Sequence, residues 1–169
     1  MSGSAVPLDA ETKVREMPER HREELRLWLR LLTCTTLIEE EVRKRLRRRF
    51  HTTLPRFDLM AQLDRAAGGM TLSDLSKRMM VSNGNVTGLV DRLVELGHVA
   101  RRVSESDRRS QLVSLTPAGQ AAFRGMAAAH ERWIDELFGD LTRADMAELM
   151  RLLGKTKGSV RRALEKRGP

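Results

Sequence analysis

Residues 70–119 read MTLSDLSKRMMVSNGNVTGLVDRLVELGHVARRVSESDRRSQLVSLTPAG. Thr71 and Asp74 have the spacing of a capping box, the hydroxyl accepting an orphan amide while the carboxylate reaches back. Leu72, Leu75 and Met79 then fall on one helical face. A second helix is expected from near Ser82 to Leu96, with Val86, Leu89, Val90 and Leu93 at the i, i+3, i+4, i+7 spacing of a buried stripe. Gly97 supplies a left-handed stop. After it, Val99, Arg101 and Val103 alternate with Ala100 and Arg102. Leu112, Val113 and Leu115 follow a polar tip, so two antiparallel strands joined by a loop are expected. Two short helices followed by a strand pair is the order of a winged helix-turn-helix, a fold that reads duplex DNA.

The outer face of the second helix carries Gly84, Asn85, Thr87, Gly88, Asp91 and Arg92. Two glycines on an exposed helix face cost about 1 kcal/mol each against alanine, so folding alone gives no reason for them. Close approach of the backbone to a partner does. A major groove is such a partner, with Ser82, Asn83, Asn85, Thr87 and Arg92 offering donors and acceptors. The alternative is that these residues form a solvated face. In the loop, Asp107 and Arg109 sit two apart and face one side, so that the carboxylate can orient the guanidinium for a narrow minor groove. Arg108 faces the other way, toward phosphate.

The runs VSNGNVTGLVDRLVELGHVARR and SDRRSQLVSLTPAG resemble the recognition helix and wing of the MarR (multiple antibiotic resistance regulator) family of bacterial transcription factors. The resemblance covers roughly residues 54–120, and the flanking helices agree in layout. It implies a homodimeric regulator, expected to be a repressor on an inverted-repeat operator, whose DNA affinity is changed by a small ligand. On this mapping Asp107 and Arg109 take the paired wing-tip roles. The chain departs from many relatives at Ser104, Glu105 and Ser106, where those carry additional basic or aspartate residues.

Charge supports this reading only weakly. The chain is +8, yet residues 70–119 hold seven Lys or Arg against five acids. The excess lies in Arg43, Lys44, Arg45, Arg47, Arg48 and Arg49, and in residues 151–169, which carry seven bases against Glu165. Clusters at helix ends are commonly solvated, and phosphate contact or interface duty is the competing reading for residues 43–49. No apolar run is long enough to span a bilayer and no signal segment opens the sequence, so no membrane partner and a cytoplasmic address are expected. A single cysteine, Cys34, excludes an internal disulfide framework. Lying inside a helix beside Leu31 and Leu37, it is expected to be a small buried thiol. It is not expected to be a redox switch, because the single-cysteine peroxide sensors of the resembled family rely on tyrosines and this chain has none.

The expected fold is mainly α with a small β-wing: a winged helix-turn-helix flanked by long N- and C-terminal dimerisation helices. Residues 1–18 have no clear period and read as an arm. Residues 19–50 read as an N-terminal dimerisation helix with Trp28, Leu31, Leu32, Ile38, Val42 and Leu46 on a broad apolar face. Residues 54–116 form the DNA-binding module, opened by a helix at Pro55 with Phe57, Met60, Ala61 and Leu63 turned inward. Residues 117–169 are C-terminal dimerisation helices, one starting at Thr116-Pro117 and one at a Thr142/Asp145 capping box. The terminal helices are expected to pair and dock on a second subunit.

Catalysis finds no footing. His21, His51, His98 and His130 are dispersed without metal-ligand spacing, and no phosphate-cradling glycine loop follows a strand. No metal, no cofactor and no enzymatic role are expected. The segment HTTLPRFDLMAQLDRAA, residues 51–67, is similar to that of MarR-family regulators of aromatic-acid catabolism, which implies a small aromatic carboxylate or its coenzyme A thioester as effector. His51 and Arg56 beside Phe57 would offer charge and stacking to a planar anion, with Trp28 and Thr35 reaching in from the first helix. The competing reading has His51 capping the long helix, Arg56 on the surface and Phe57 in the core. A constitutive architectural DNA binder, or a winged-helix protein-interaction module without a ligand, is the alternative function. It would show a solid core where a gated regulator needs a cavity.

Overall fold

The computed structural model describes residues 22–66, 68–103 and 111–166. Along the chain run α1 (Arg22–Phe50), α2 (Leu54–Asp64), β1 (Met70–Thr71), α3 (Leu72–Met79), α4 (Asn83–Glu95), β2 (Val99–Val103), β3 (Gln111–Leu115), α5 (Pro117–Leu137) and α6 (Arg143–Glu165). The described residues divide into two compact units after His130. No helix among them is long and apolar enough to cross a membrane. Residues 1–18, expected to be an arm, lie outside the described residues, as do residues 104–110 of the wing tip.

The first unit has one apolar core. Val42 and Leu46 of α1, Phe57, Leu59, Met60 and Leu63 of α2, Leu75 of α3, and Val86, Val90 and Leu93 of α4 are buried with Val99, Val113, Phe123, Met126 and Ala129. Burying such a side chain stabilises by about 1.5–3 kcal/mol, so this cluster is what holds the helices to the sheet. The sheet is antiparallel in the order β1-β3-β2. Val99 pairs with Leu115 and Val103 with Gln111, while Met70 and Thr71 pair with Val113 and Leu112. The two-residue β1 was not expected from the sequence. Along β2 only Val99 is buried and Val103 is 58% exposed, because the hairpin runs outward beyond the core.

Each helix ends as local chemistry dictates. Thr71 Oγ1 accepts from the Asp74 amide at 3.1 Å and donates to the Asp74 carboxylate at 2.8 Å, so the return arm of the box closes on the hydroxyl. α3 stops at Met80, whose φ of 55° is left-handed. The Met80 and Val81 amides donate back to Lys77 and Ser76, the paired bonds of a Schellman stop. α4 stops the same way at Gly97 (φ 70°), with Gly97 and His98 donating to Val94 and Leu93. At α5 the Thr116 hydroxyl accepts from the Gly119 amide at 3.0 Å and donates to the Gly97 carbonyl at 2.6 Å. The Thr116 amide donates to His98 at 3.0 Å.

α1 corrects one expectation. Its face is amphipathic as read, but only Val42 and Leu46 are buried, while Trp28 is 57% exposed and Leu27 and Leu37 are each 53% exposed. Cys34 is exposed rather than buried, because it lies on the stretch of α1 that its own chain leaves uncovered. The second unit holds the end of α5 and α6, which begins at the Thr142/Asp145 capping box with both reciprocal bonds formed. No residue of α6 is buried, and Met150 and Leu164 are largely exposed.

Gly119 is the tightest point of the first unit. A Cβ there would lie 1.9 Å from the His98 carbonyl oxygen. Gly119→Ala is therefore expected to destabilise the protein by about 1–3 kcal/mol, the range of core overpacking. A urea denaturation series checks it, and an unchanged midpoint would refute the close approach.

Candidate nucleic-acid interface

Ser82 caps α4 through its hydroxyl, which accepts from the Asn85 amide at 3.4 Å. Such a cap is worth about 1 kcal/mol and sets where the helix begins. It leaves the first turn of α4, with Asn83, Gly84 and Asn85, exposed. The side-chain amides of Asn83 and Asn85 have no hydrogen bond to another described residue. Thr87 is half-buried and its hydroxyl donates to the Asn83 carbonyl at 2.9 Å. A Cβ added at Gly84 or Gly88 would meet nothing within 4 Å. Nothing inside the protein requires glycine at either position.

Further along the same face, Arg92 pairs with Glu95 at 2.6 Å, both side chains being half-exposed or more. Such a surface pair contributes little and does not fix the guanidinium. Asp91 pairs with Arg101 of β2 at 2.5 Å. That bridge joins the outer face of α4 to the wing strand and neutralises the acid there. Arg102 of β2 donates to the Gly68 carbonyl. Neither link was read from the sequence, since the partners are ten and thirty-four residues apart and belong to different elements. Asp107, Arg108 and Arg109 lie outside the described residues. Of the expected DNA-facing set, then, the structure gathers Ser82, Asn83, Asn85, Thr87 and Arg92 on one helix.

In the basic run at the end of α1, Arg43 pairs with Glu39 at 2.6 Å and Arg45 with Glu41 at 2.6 Å, while Lys44 lies 3.5 Å from Glu41. Three of the six bases in that cluster are thus paired with two acids about one turn earlier, Lys44 and Arg45 sharing Glu41. The Arg45 hydrogen bond is the main cause holding the Glu41 carboxyl below its ordinary range, against a smaller opposing effect of burial.

The residues expected to form a ligand pocket are not brought together. α1 is one continuous helix, so Trp28 lies about 33 Å and Thr35 about 22 Å along its axis from Phe50. Trp28 therefore cannot reach His51 within one chain. The Thr35 hydroxyl donates to the Leu31 carbonyl at 2.9 Å. His51 closes α1 in a left-handed conformation, φ 51°, with its amide donating to Arg47. It also lines a cavity of about 350 Å³ with Phe50, Met60, Leu96, His98 and Met126. Arg56 is half-buried one turn before Met60, and its Nε is buried without a hydrogen-bond partner. Phe57 is buried on another side of α2, its ring 5.5 Å from Phe123 and 5.1 Å from His130. Thus His51 does cap the helix and Phe57 is core, as the competing reading has it, yet there is a cavity beside His51.

The sequence profile of the MarR family matches residues 52–110. The chain is 31% identical over 140 residues to the transcriptional activatory protein BadR of Rhodopseudomonas palustris, a match covering 81% of this chain and 79% of that protein. Its fold matches a mutant of Escherichia coli MarR complexed with operator DNA, with a TM-score of 0.71, 26% identity, and coverage of 82% of this chain and 99% of that one. It also matches CouR of Rhodococcus jostii bound to p-coumaroyl-CoA, with a TM-score of 0.67, covering 75% and 88%, a likeness of fold at 20% identity.

Because Gly88 is interior to α4 and open to solvent, Gly88→Ala is expected to stabilise the protein by about 1 kcal/mol through helix propensity alone. A urea midpoint that fell instead would show a packing role that the structure does not.

Proposed function

The chain belongs to the MarR family of DNA-binding transcriptional regulators, and from that premise we propose that it binds an inverted-repeat operator as a homodimer and is released by a small aromatic carboxylate or its coenzyme A thioester. The observation that carries the DNA reading is the outer face of α4: a capped first turn exposing Asn83 and Asn85, with two glycines that the fold does not need. That face enters the major groove, its amides meeting base edges and its glycines letting the backbone approach. Arg92 and Arg108 meet phosphate, and Arg109, oriented by Asp107, enters the minor groove. The uncovered apolar stripes of α1 and α6 support a second copy as their cover, each being too apolar to stay in water. Two recognition helices related by a two-fold axis then read half-sites about 34 Å apart. A cytoplasmic address belongs to the same reading.

The effector reading rests on the cavity beside His51. It is bounded by the end of α1, by α2, by the end of α4 and by the start of α5, so an occupant wedges between the recognition helix and the scaffold that sets its spacing. Arg56 is not in the lining, but it stands on α2 one turn before the lining residue Met60 and its Nε is buried without a partner, which makes it the cation we assign to a carboxylate. CouR, a neighbour in fold, was solved with an aromatic thioester bound. BadR, the relative in sequence, is described as an activator, so footprinting upstream of the chain's own gene with a reporter assay fixes the sign of regulation, which we expect to be repression. By linkage the ligand binds free protein more tightly than DNA-bound protein by the factor that it lowers DNA affinity, and about 1–3 kcal/mol suffices for regulation.

Two outcomes are expected. In gel-shift titrations on the footprinted operator, Arg109→Ala costs roughly 1–3 kcal/mol of affinity, Asn85→Ala relaxes sequence preference, and Gly88→Ala weakens binding while the fold gains stability. Wild-type affinity in all three, or a monomer indifferent to sequence, would sink the interface. In calorimetric titrations with benzoates, hydroxycinnamates and their thioesters, at least one binds, and Arg56→Ala and His51→Ala each weaken it. Were no ligand to bind, the constitutive DNA binder would stand in its place.

A further inference from the structure

α3 ends on a left-handed residue, and that residue is Met80, with φ 55° and ψ 39°. Such a backbone suits glycine, since any Cβ crowds the neighbouring carbonyl. The matching stop of α4 is Gly97. Where an apolar residue does stand at a helix stop, it ordinarily packs back on the last turn. Met80 is instead 92% exposed, more than any other large apolar side chain described. A lone exposed methionine needs no explanation. One that is also strained, with so little of its own chain against it, does, because strain of this kind persists where a residue serves a site.

The turn that carries Met80 is fastened on both sides. The Ser76 hydroxyl donates to the Val81 carbonyl at 2.7 Å, the Val81 amide donates to the Ser76 carbonyl at 3.2 Å, and the Met80 amide donates to the Lys77 carbonyl at 3.4 Å. Two residues on, the Ser82 hydroxyl caps α4. Met80 is thereby fixed to the first turn of the recognition helix. Its neighbours have the chemistry of a nucleic-acid face. Lys77 and Arg78, just before it, are exposed and have no ion-pair partner among the described residues, and residues 82–85, just after it, are exposed and polar or glycine. Along residues 77–85 Met80 is the one exposed apolar side chain.

We propose that Met80 reads DNA: its side chain packs on the 5-methyl group of a thymine in each half-site, beside the bases met by Asn83 and Asn85. This rests on the regulator reading of α4 and adds to it a residue and a base. The amino-terminal end of a recognition helix is the end that contacts base edges, and Met80 stands just ahead of that end. A duplex offers few apolar groups there. In the major groove the thymine methyl is the apolar group on a base edge. An unbranched thioether suits it, being long, soft and free of strongly polar atoms that would need a partner. Asparagine, for its part, pairs with adenine through two hydrogen bonds. An adenine under Asn83 or Asn85 and a thymine methyl under Met80 together specify neighbouring A·T pairs. The strain at Met80 is then a cost in the free protein that holds an apolar tip where DNA covers it.

The test measures fluorescence anisotropy of the footprinted operator with the intact protein, replacing the thymines of one half-site by deoxyuridine one at a time, which removes only the methyl group. At one thymine, wild type is expected to lose about fourfold in affinity, the factor that burying one methyl-sized group corresponds to. Met80→Gly and Met80→Gln are expected to bind the unmodified operator more weakly than wild type and to bind its deoxyuridine forms no more weakly still. Urea denaturation of Met80→Gly is expected to give a midpoint no lower than that of wild type, since relief of the strain outweighs the added freedom of the unfolded chain. A lower midpoint would show that Met80 packs inside the protein and would overturn the contact. So would wild-type affinity for every deoxyuridine operator, or variants that discriminate thymine from deoxyuridine as wild type does. In either of those cases the protein still binds DNA and the contact alone fails; if wild type binds no duplex, the regulator reading fails and the contact falls with it.

Discussion

The joint between Thr116 and the end of the recognition helix is the constraint on which the first unit turns. One threonine accepts from Gly119, donates to Gly97 and, through its amide, donates to His98. Gly119 lies against the His98 carbonyl with no room for a methyl group. Thus the exit of α4, the entry of β2 and the first turn of α5 are fixed to one another by hydrogen bonds and by contact. The tilt of the recognition helix, the direction of the wing and the wall formed by Leu96 and His98 follow from that joint. The Asp91–Arg101 bridge adds a second brace between helix and wing, but an exposed ion pair is the weaker of the two.

Where structure follows from local chemistry, it was legible in the sequence. The threonine and serine caps, the glycine stop at Gly97, the proline after Thr116 and the apolar period of α4 each name a feature that the structure contains. What escaped lacks a local signal. β1 has two residues, too few for a period, and exists because Val113 and Leu112, some forty positions later, lie alongside it. The left-handed stop at Met80 sits where glycine is the ordinary choice, and methionine bears a cost of about 1–2 kcal/mol there. The apolar residues of α1 do share a face, yet periodicity says only that a face is apolar, not what covers it. Cys34 is exposed for that reason, although its neighbours Leu31 and Leu37 are apolar.

The candidate site shows the same division. Asn83, Asn85 and the two glycines could be read as an outward surface because one helix carries them all. The ligand residues could not be assembled that way, since nearness in sequence at His51, Arg56 and Phe57 says little about which side of α2 each faces. Phe57 faces one cavity, while His51 and Met60 border another. Trp28 failed for a plainer reason: a straight helix of 29 residues carries its ends far apart.

Among the described side chains of the long first helix, only Val42 and Leu46 are buried by its own chain. A helix draws most of its stability from packing its apolar face, and an uncovered stretch of some twenty residues is marginal in water. If a second copy is the cover, as proposed above, the order of residues 22–41 is set by mass action: it depends on how much of the covering surface is present and how tightly it binds. On that proposal the helical content of this segment becomes a function of protein concentration.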